Sequence, residues 1–252
     1  MSKNSGPPDY NEYHFSGKEW FFYLLQGLLL SAVISRFFYQ SWIAFIVFMP
    51  LALFYMKGKR KELAKKQRQD LSVQFKDMVL SVAANQKAGY SVENAFCEAY
   101  KDMDLLYGEG SLICREIKYI ILGLENNVVL EKMLYNLGVR SHQPDIMQFA
   151  DVFVIAKRSG GNMTEILTKT AAVTEQKIET DKEIQLMISS KKMEQKIMNA
   201  VPFLIIFYIG ATSKGFFDSL YHNTAGILIM TVCLAVYITA FLLSKRMVEI
   251  EV

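Results

Sequence analysis

Long apolar runs divide this sequence into segments. The four longest cover residues 20–38, 41–56, 197–213 and 225–243, and each is nearly free of charged side chains. A helix needs about 20 residues to cross the hydrocarbon core of a bilayer, and about 17 is the short limit. The runs therefore predict four membrane-spanning helices arranged as two hairpins. Because the first pair is short, a re-entrant or interfacial hairpin is its alternative.

Between the two hairpins, apolar residues recur at helical spacing without the alternation of a strand, which predicts an all-α domain. Its first helix is expected to end at Gly89, where glycine tolerates a left-handed backbone, and Ser91 is expected to cap the second. Pro144 suits the first turn of a later helix, because its missing amide hydrogen would be unpaired there. The predicted core positions are Phe75, Met78, Val79, Val82, Ala95, Phe96, Ala99, Tyr100, Met103, Ile113, Ile117, Ile120, Ile121, Leu124, Leu130, Met133, Leu134, Leu137, Ile146, Phe149, Ala150 and Phe153.

A glycine-rich turn precedes the last helix of this domain. Gly160 and Gly161 form the turn, and Asn162 and Glu165 have the spacing of a capping box. A phosphate-binding loop is the alternative, but the chain has no P-loop motif and no strand pattern before the glycines. Neither glycine nor proline then occurs until Pro202, so one long helix is expected to continue into the third span.

Basic residues predict the orientation, because loops that remain in the cytoplasm carry the excess of lysine and arginine. A cluster of seven follows the second span, Lys191, Lys192 and Lys196 precede the third, and Lys245 and Arg246 follow the fourth. Both termini and the segment between the hairpins are therefore expected to be cytoplasmic. A nucleic-acid patch is the less favoured interpretation, since the cluster directly adjoins a span and suits lipid headgroups. Its residues are Lys57, Lys59, Arg60, Lys61, Lys65, Lys66 and Arg68.

Together these patterns predict a polytopic all-α membrane protein with a cytoplasmic six-helix bundle. The predicted segments are a cytoplasmic tail at 1–19, a transmembrane hairpin at 20–56, a basic juxtamembrane linker at 57–69, the helical domain at 70–196, a second hairpin at 197–243 and a cytoplasmic tail at 244–252.

Candidate chemistry is sparse. The three histidines, His14, His142 and His222, fall in a tail, an interhelical turn and an outer loop, so a catalytic set is not expected to form. No ionisable group lies deep in a predicted span, as a transporter would require, and Gln26 is assigned to helix packing. We therefore predict no enzyme activity, no cofactor, no metal site and no small-molecule substrate.

One charged stretch of the long helix is a candidate partner surface. It contains Glu175, Glu179 and Glu183, although a solvated helix face is the default interpretation of such a stretch.

The order of turns and helices resembles the type II secretion system F-domain family over about residues 70–243. The markers of this resemblance are an Ala-Gly-Tyr-Ser turn, a Gly-Gly-Asn turn, a long amphipathic helix and a proline inside the next span. One such domain between two hairpins is most similar to platform proteins of tight-adherence (Tad/Flp) pilus assembly. The candidate structural and partner-coupling residues are Gly89, Ser91, Glu116, Gly160, Gly161, Asn162, Glu165, Glu175, Glu179, Glu183 and Pro202.

The resemblance implies a non-enzymatic platform subunit in the bacterial cytoplasmic membrane. It implies a hexameric secretion ATPase, a second platform subunit, prepilins and membrane lipids as partners, and no nucleic acid. The chain departs from the family pattern late in the long helix, where it has Ile188 followed by Ser-Ser-Lys-Lys, and at Lys177 and Lys182, where arginines are usual. A membrane-anchored adaptor or signalling scaffold without a secretion role is the alternative function.

Overall fold

The structure is a computed structural model that describes residues 7–39, 42–159, 163–213 and 223–250. Within these ranges the regular structure consists of eight α-helices and contains no strand, so the predicted all-α class is confirmed. The helices are α1 (Gly17–Phe38), α2 (Trp42–Lys87), α3 (Val92–Tyr107), α4 (Leu112–Glu125), α5 (Leu130–Ser141), α6 (Pro144–Ser159), α7 (Met163–Thr212) and α8 (Thr224–Ile250).

The chain divides into two compact units. The bundle unit contains residues 7–14 and 60–180, and the apolar unit contains residues 15–59 and 181–250. Helices α2 and α7 each contribute residues to both units.

The core of the bundle unit contains most of the apolar positions that the sequence predicts, together with residues that it does not, such as Tyr10, Leu71 and Leu167. Phe96 and Phe153 are almost fully buried, with ring centroids 6.5 Å apart, and the Phe75 and Phe149 rings meet edge to face at 5.1 Å. Such aromatic pairs add about 0.5–1.5 kcal/mol to the free energy of burial. Four predicted core residues are instead partly buried and pack against the cluster: Tyr100, Ile121, Leu124 and Met133.

The predicted turn chemistry is present at the start of α3 and of α6. Gly89 has a φ of +99°, and the Ser91 hydroxyl accepts a hydrogen bond from the Asn94 amide at 3.3 Å. Pro144 begins α6, with Asp145 in its first turn. These residues therefore fix two of the helix boundaries.

Helix α2 is longer than the sequence analysis expects. It runs for 46 residues and includes the predicted basic juxtamembrane linker at 57–69. Lysine, arginine, glutamine and alanine dominate that stretch, and all four are good helix formers. The residues change from apolar to charged at Lys57 with no break in the helical backbone.

Helix α7 is also continuous, as predicted. It runs for 50 residues and has Pro202 inside it. A helix of this length measures about 75 Å at about 1.5 Å per residue. The Tyr237 hydroxyl donates to the Asn199 carbonyl at 3.0 Å, next to the position where proline interrupts the backbone hydrogen bonds.

Among the residues that the structure describes, three helices are long and apolar enough to cross a membrane, which indicates a membrane protein. They are Gly17–Phe38, the apolar part of Met163–Thr212, and Ala225–Met247. Helix α2, which carries the predicted second span, is not among these three.

The apolar part of α2 packs directly on α1. A Cβ added at Gly27 would lie 3.0 Å from both Cα and Cβ of Ala52, so glycine permits this close approach. The Ser31 hydroxyl donates to the Phe48 carbonyl at 3.1 Å. Small residues and hydroxyl bonds of this kind are typical of helix pairs in membranes.

The two glycines Gly89 and Gly58 provide a test of the turn. We expect Gly89→Ala to lower the free energy of unfolding by about 1–2 kcal/mol, because its positive φ strains any L side chain although space is open around it. Gly58→Ala should raise it by about 0.5–1 kcal/mol, since Gly58 is interior to α2 and also has open space. Chemical unfolding of the purified protein in detergent measures both, and equal effects would contradict this account of the turn.

Candidate functional site

The N-terminal segment, residues 7–14, packs on the bundle unit. It belongs to the predicted cytoplasmic tail, but Tyr10 is only 1% exposed and belongs to the hydrophobic core cluster. The Tyr10 amide donates to the Arg140 carbonyl at 3.0 Å, which joins the segment to the end of α5. The first 14 residues therefore contain a folded part of the domain.

A buried ion pair lies beneath this segment. Glu116 of α4 is 1% exposed, and its two carboxylate oxygens accept hydrogen bonds from Arg140 of α5 at 2.9 and 2.6 Å. The Tyr10 hydroxyl donates to the same carboxylate at 2.7 Å. We call these three residues the Tyr10 network. Arg140 also donates to the Pro8 carbonyl at 2.9 Å, so it contacts both the segment and the bundle.

Burial and charge together set the ionisation of this network. Burial, followed by the negative charge and hydrogen bond of Glu116, raises the pKa of Tyr10, so its hydroxyl keeps its proton and acts as a donor. Burial alone would lower the pKa of Arg140, but the hydrogen bonds and charge of Glu116 outweigh it and raise the pKa. Removing one partner of such a buried pair costs about 3–5 kcal/mol, because the other charge is left uncompensated.

Polar contacts at the edge of the segment are exposed. Arg60 donates to the Tyr13 carbonyl at 2.7 Å and pairs with Glu12 at 3.1 Å, and Asp9 lies 3.1 Å from His142. Exposed pairs of this kind contribute about 0–1 kcal/mol each. The attachment of the N-terminal segment therefore depends mainly on the Tyr10 network.

The predicted charged surface of α7 has two different parts. Glu175 pairs with Lys76 of α2 at 3.1 Å, and Lys177 pairs with Asp145 of α6 at 2.6 Å, so these residues hold α7 within the bundle unit. Burial alone would lower the pKa of Lys76. Hydrogen bonds and negative charge from Asp77 and Glu175 outweigh the effect of burial, so the pKa of Lys76 is raised. Glu179 and Glu183 are exposed and have no ion pair with any residue that the structure describes.

The remaining candidate residues do not form one site. Gly89 and Ser91 form the turn between α2 and α3, Glu165 lies in the first turn of α7, and Pro202 belongs to the apolar unit. The glycine-rich turn, with Gly160, Gly161 and Asn162, lies outside the described residues. Among the described residues, no group of three histidine, cysteine, aspartate or glutamate side chains is arranged to hold a metal ion.

Sequence reasoning selects only Glu116 from the Tyr10 network, through the family resemblance. The available signal was a charged residue between Ile113 and Ile117 on an otherwise apolar helix face. A charge at such a position needs a buried partner. Its partners are 24 and 106 residues away in the chain, and no periodic pattern connects them.

Comparison of the chain with protein-family models, curated proteins and solved structures finds no match. The assignment of function therefore depends on the chain's own residues and on the resemblance drawn from its motifs.

Tyr10→Phe tests the network with minimal change in shape. The hydroxyl bond to Glu116 is charge-assisted, and such bonds contribute about 1.5–3 kcal/mol. We expect hydrogen exchange at residues 9–13 to become about tenfold faster or more, because the segment opens more often. Tyr135→Phe is the matched control, since Tyr135 is 48% exposed and should leave exchange unchanged. Wild-type exchange rates in Tyr10→Phe would show that the network does not hold the segment.

Proposed function

We propose that this chain is a four-span membrane scaffold with a cytoplasmic six-helix bundle of the F-domain type. The observation that carries the proposal is the packing of residues 7–14 on the bundle unit. Only Phe15 and Ser16 separate His14 from Gly17, the first residue of α1. The start of α1 is therefore tethered to the bundle unit by its own chain.

The other end of the first hairpin is tethered in the same way. Helix α2 passes without a break from its apolar part into the bundle unit at Arg60. Helix α1 has 22 residues, about 33 Å, which matches the roughly 30 Å core of a bilayer. If α1 crosses the membrane and both ends of the hairpin are on the bundle side, the apolar part of α2 crosses back as a second span.

Charge supports a cytoplasmic bundle and cytoplasmic termini. In the sequence, basic residues follow the apolar part of α2 and precede that of α7, and Lys245 and Arg246 follow the apolar part of α8. Lysine and arginine in short segments beside spans remain on the cytoplasmic side. Lys61, Lys65 and Lys66 are exposed and suit the anionic headgroups of the inner leaflet.

Within this architecture, the function that we propose is that of a non-enzymatic platform subunit in a Tad/Flp-like pilus or type II-like secretion machine. The subunit would transmit motion from a hexameric secretion ATPase to prepilins in the membrane, together with a second platform subunit. The resemblance to the F-domain family supports this role, as does the uninterrupted α7, which has exposed acidic residues near its middle. Exposed, unpaired Glu179 and Glu183 are the proposed contact for the ATPase.

Reversing these charges tests the ATPase contact. We expect Glu179→Lys combined with Glu183→Lys to abolish co-purification of the ATPase with the membrane protein, because attraction to a basic surface becomes repulsion. Glu175 is left unchanged, since its loss would weaken the bundle. The control combines Asp104→Lys with Asp151→Lys, two exposed acids on α3 and α6. Unchanged co-purification in the first variant, or equal loss in both, would refute this contact.

A further inference from the structure

One polar side chain lies on the outer surface of α1. Gln26 is nine residues after Gly17 and twelve before Phe38, and its side chain is exposed. At about 1.5 Å per residue, it lies about 13 Å from one end of the helix and about 18 Å from the other. In a membrane-spanning α1, Gln26 would therefore be near the middle of the hydrocarbon core.

Gln26 faces away from α2, and the contacts of α1 with α7 and α8 lie further along the helix, at Ile34, Phe37 and Phe38. Gly27 and Ser31 lie on the side that meets α2, at Ala52 and Phe48. Successive residues turn by about 100°, so Gln26 is about 100° from Gly27 and about 140° from Ser31. The surface around Gln26 is thus separate from the α1–α2 contact.

Other polar groups of the apolar unit have acceptors within the chain. The hydroxyls of Ser31, Thr231 and Tyr237 each donate to a backbone carbonyl, at 2.7–3.1 Å. The Gln26 amide has no hydrogen-bond partner among the residues that the structure describes. An amide in hydrocarbon without a partner is unfavourable, and glutamine commonly joins helices across a membrane interface.

We propose that the Gln26 face of α1 binds the same face of a second copy of this chain, with the two Gln26 amides exchanging hydrogen bonds across a two-fold axis. The proposal rests on the membrane placement of α1 in the proposed function. It goes further by naming the surface and the partner. Phe22, Leu29 and Leu30 flank Gln26 on this face and are exposed and uncharged.

The chemistry of the amide favours an identical partner. An amide carries both donor and acceptor atoms, so a second glutamine can satisfy it reciprocally, as a two-fold interface requires. All copies of one chain insert with the same orientation, which places Gln26 opposite Gln26 at equal depth. The apolar neighbours then pack against their own counterparts, and no charged residue has to be buried.

Two neighbouring phenylalanines give a matched cross-linking test. Phe22 and Phe21 are 60% and 62% exposed, but Phe22 is about 40° from Gln26 around the helix and Phe21 about 140°. In full-length protein with Cys97 and Cys233 replaced by alanine, reconstituted in phosphatidylcholine and phosphatidylglycerol vesicles, Phe22→Cys should form disulfide dimers on mild oxidation. Phe21→Cys should form about fivefold fewer.

Gln26 is then varied in the Phe22→Cys background. Gln26→Leu, which keeps the helix apolar, should weaken association by about fivefold to thirtyfold, corresponding to the roughly 1–2 kcal/mol of one interhelical polar contact. Gln26→Asn keeps an amide and should retain most of the cross-linking.

Several results would overturn the inference. Equal cross-linking through Phe21→Cys and Phe22→Cys, or no effect of Gln26→Leu, would refute this interface while leaving the proposed function intact. Cross-linking in cells to a species of a different mass, without dimers in vesicles, would assign the face to another membrane protein. Release of the wild-type protein from membranes by alkaline carbonate would instead refute the membrane placement itself.

Discussion

The buried carboxylate of Glu116 is the constraint on which the bundle unit depends. A charge that is 1% exposed in an apolar core is tolerable only if its oxygens are bonded and its charge is balanced. Arg140 supplies the balancing charge and two of the hydrogen bonds, and Tyr10 supplies a third. Because Tyr10 comes from the N-terminal segment, satisfying one buried charge also fixes the first described residues of the chain on the bundle.

This attachment bears on the proposed membrane placement. The chain joins the start of α1 and the continuous α2 to the bundle unit, so in that placement α1 and the apolar part of α2 would begin and end on the same side of the membrane. Polar groups in the apolar unit, like the Glu116 carboxylate, have hydrogen-bond partners within the chain. The Ser31 hydroxyl donates to a carbonyl of α2, and the Tyr237 hydroxyl donates to a carbonyl of α7 near Pro202. In a bilayer such groups would have no water to bond, so partners within the protein are required.

The bundle helices could be predicted from the sequence because they bury apolar residues at helical spacing, as Phe96, Ala99 and Met103 do on α3. The continuity of α2 could not be predicted, because the composition changes from apolar to charged at Lys57 while the backbone remains helical. The contacts of the Tyr10 network could not be predicted from the sequence either. Tyr10 and Glu116 are 106 residues apart, and a single tyrosine in a polar segment carries no local signal of burial.

The central claim is that the N-terminal segment and the bundle lie on the same, cytoplasmic side of the membrane. Labelling of single cysteines in intact cells with a membrane-impermeant maleimide tests it most directly, with Cys97 and Cys233 replaced by alanine. The account predicts that Asn11→Cys and Glu125→Cys are labelled only after the cells are permeabilised, whereas Tyr39→Cys, at the end of α1, is labelled without permeabilisation. Labelling of Glu125→Cys in intact cells, or different behaviour of Asn11→Cys and Glu125→Cys, would contradict it.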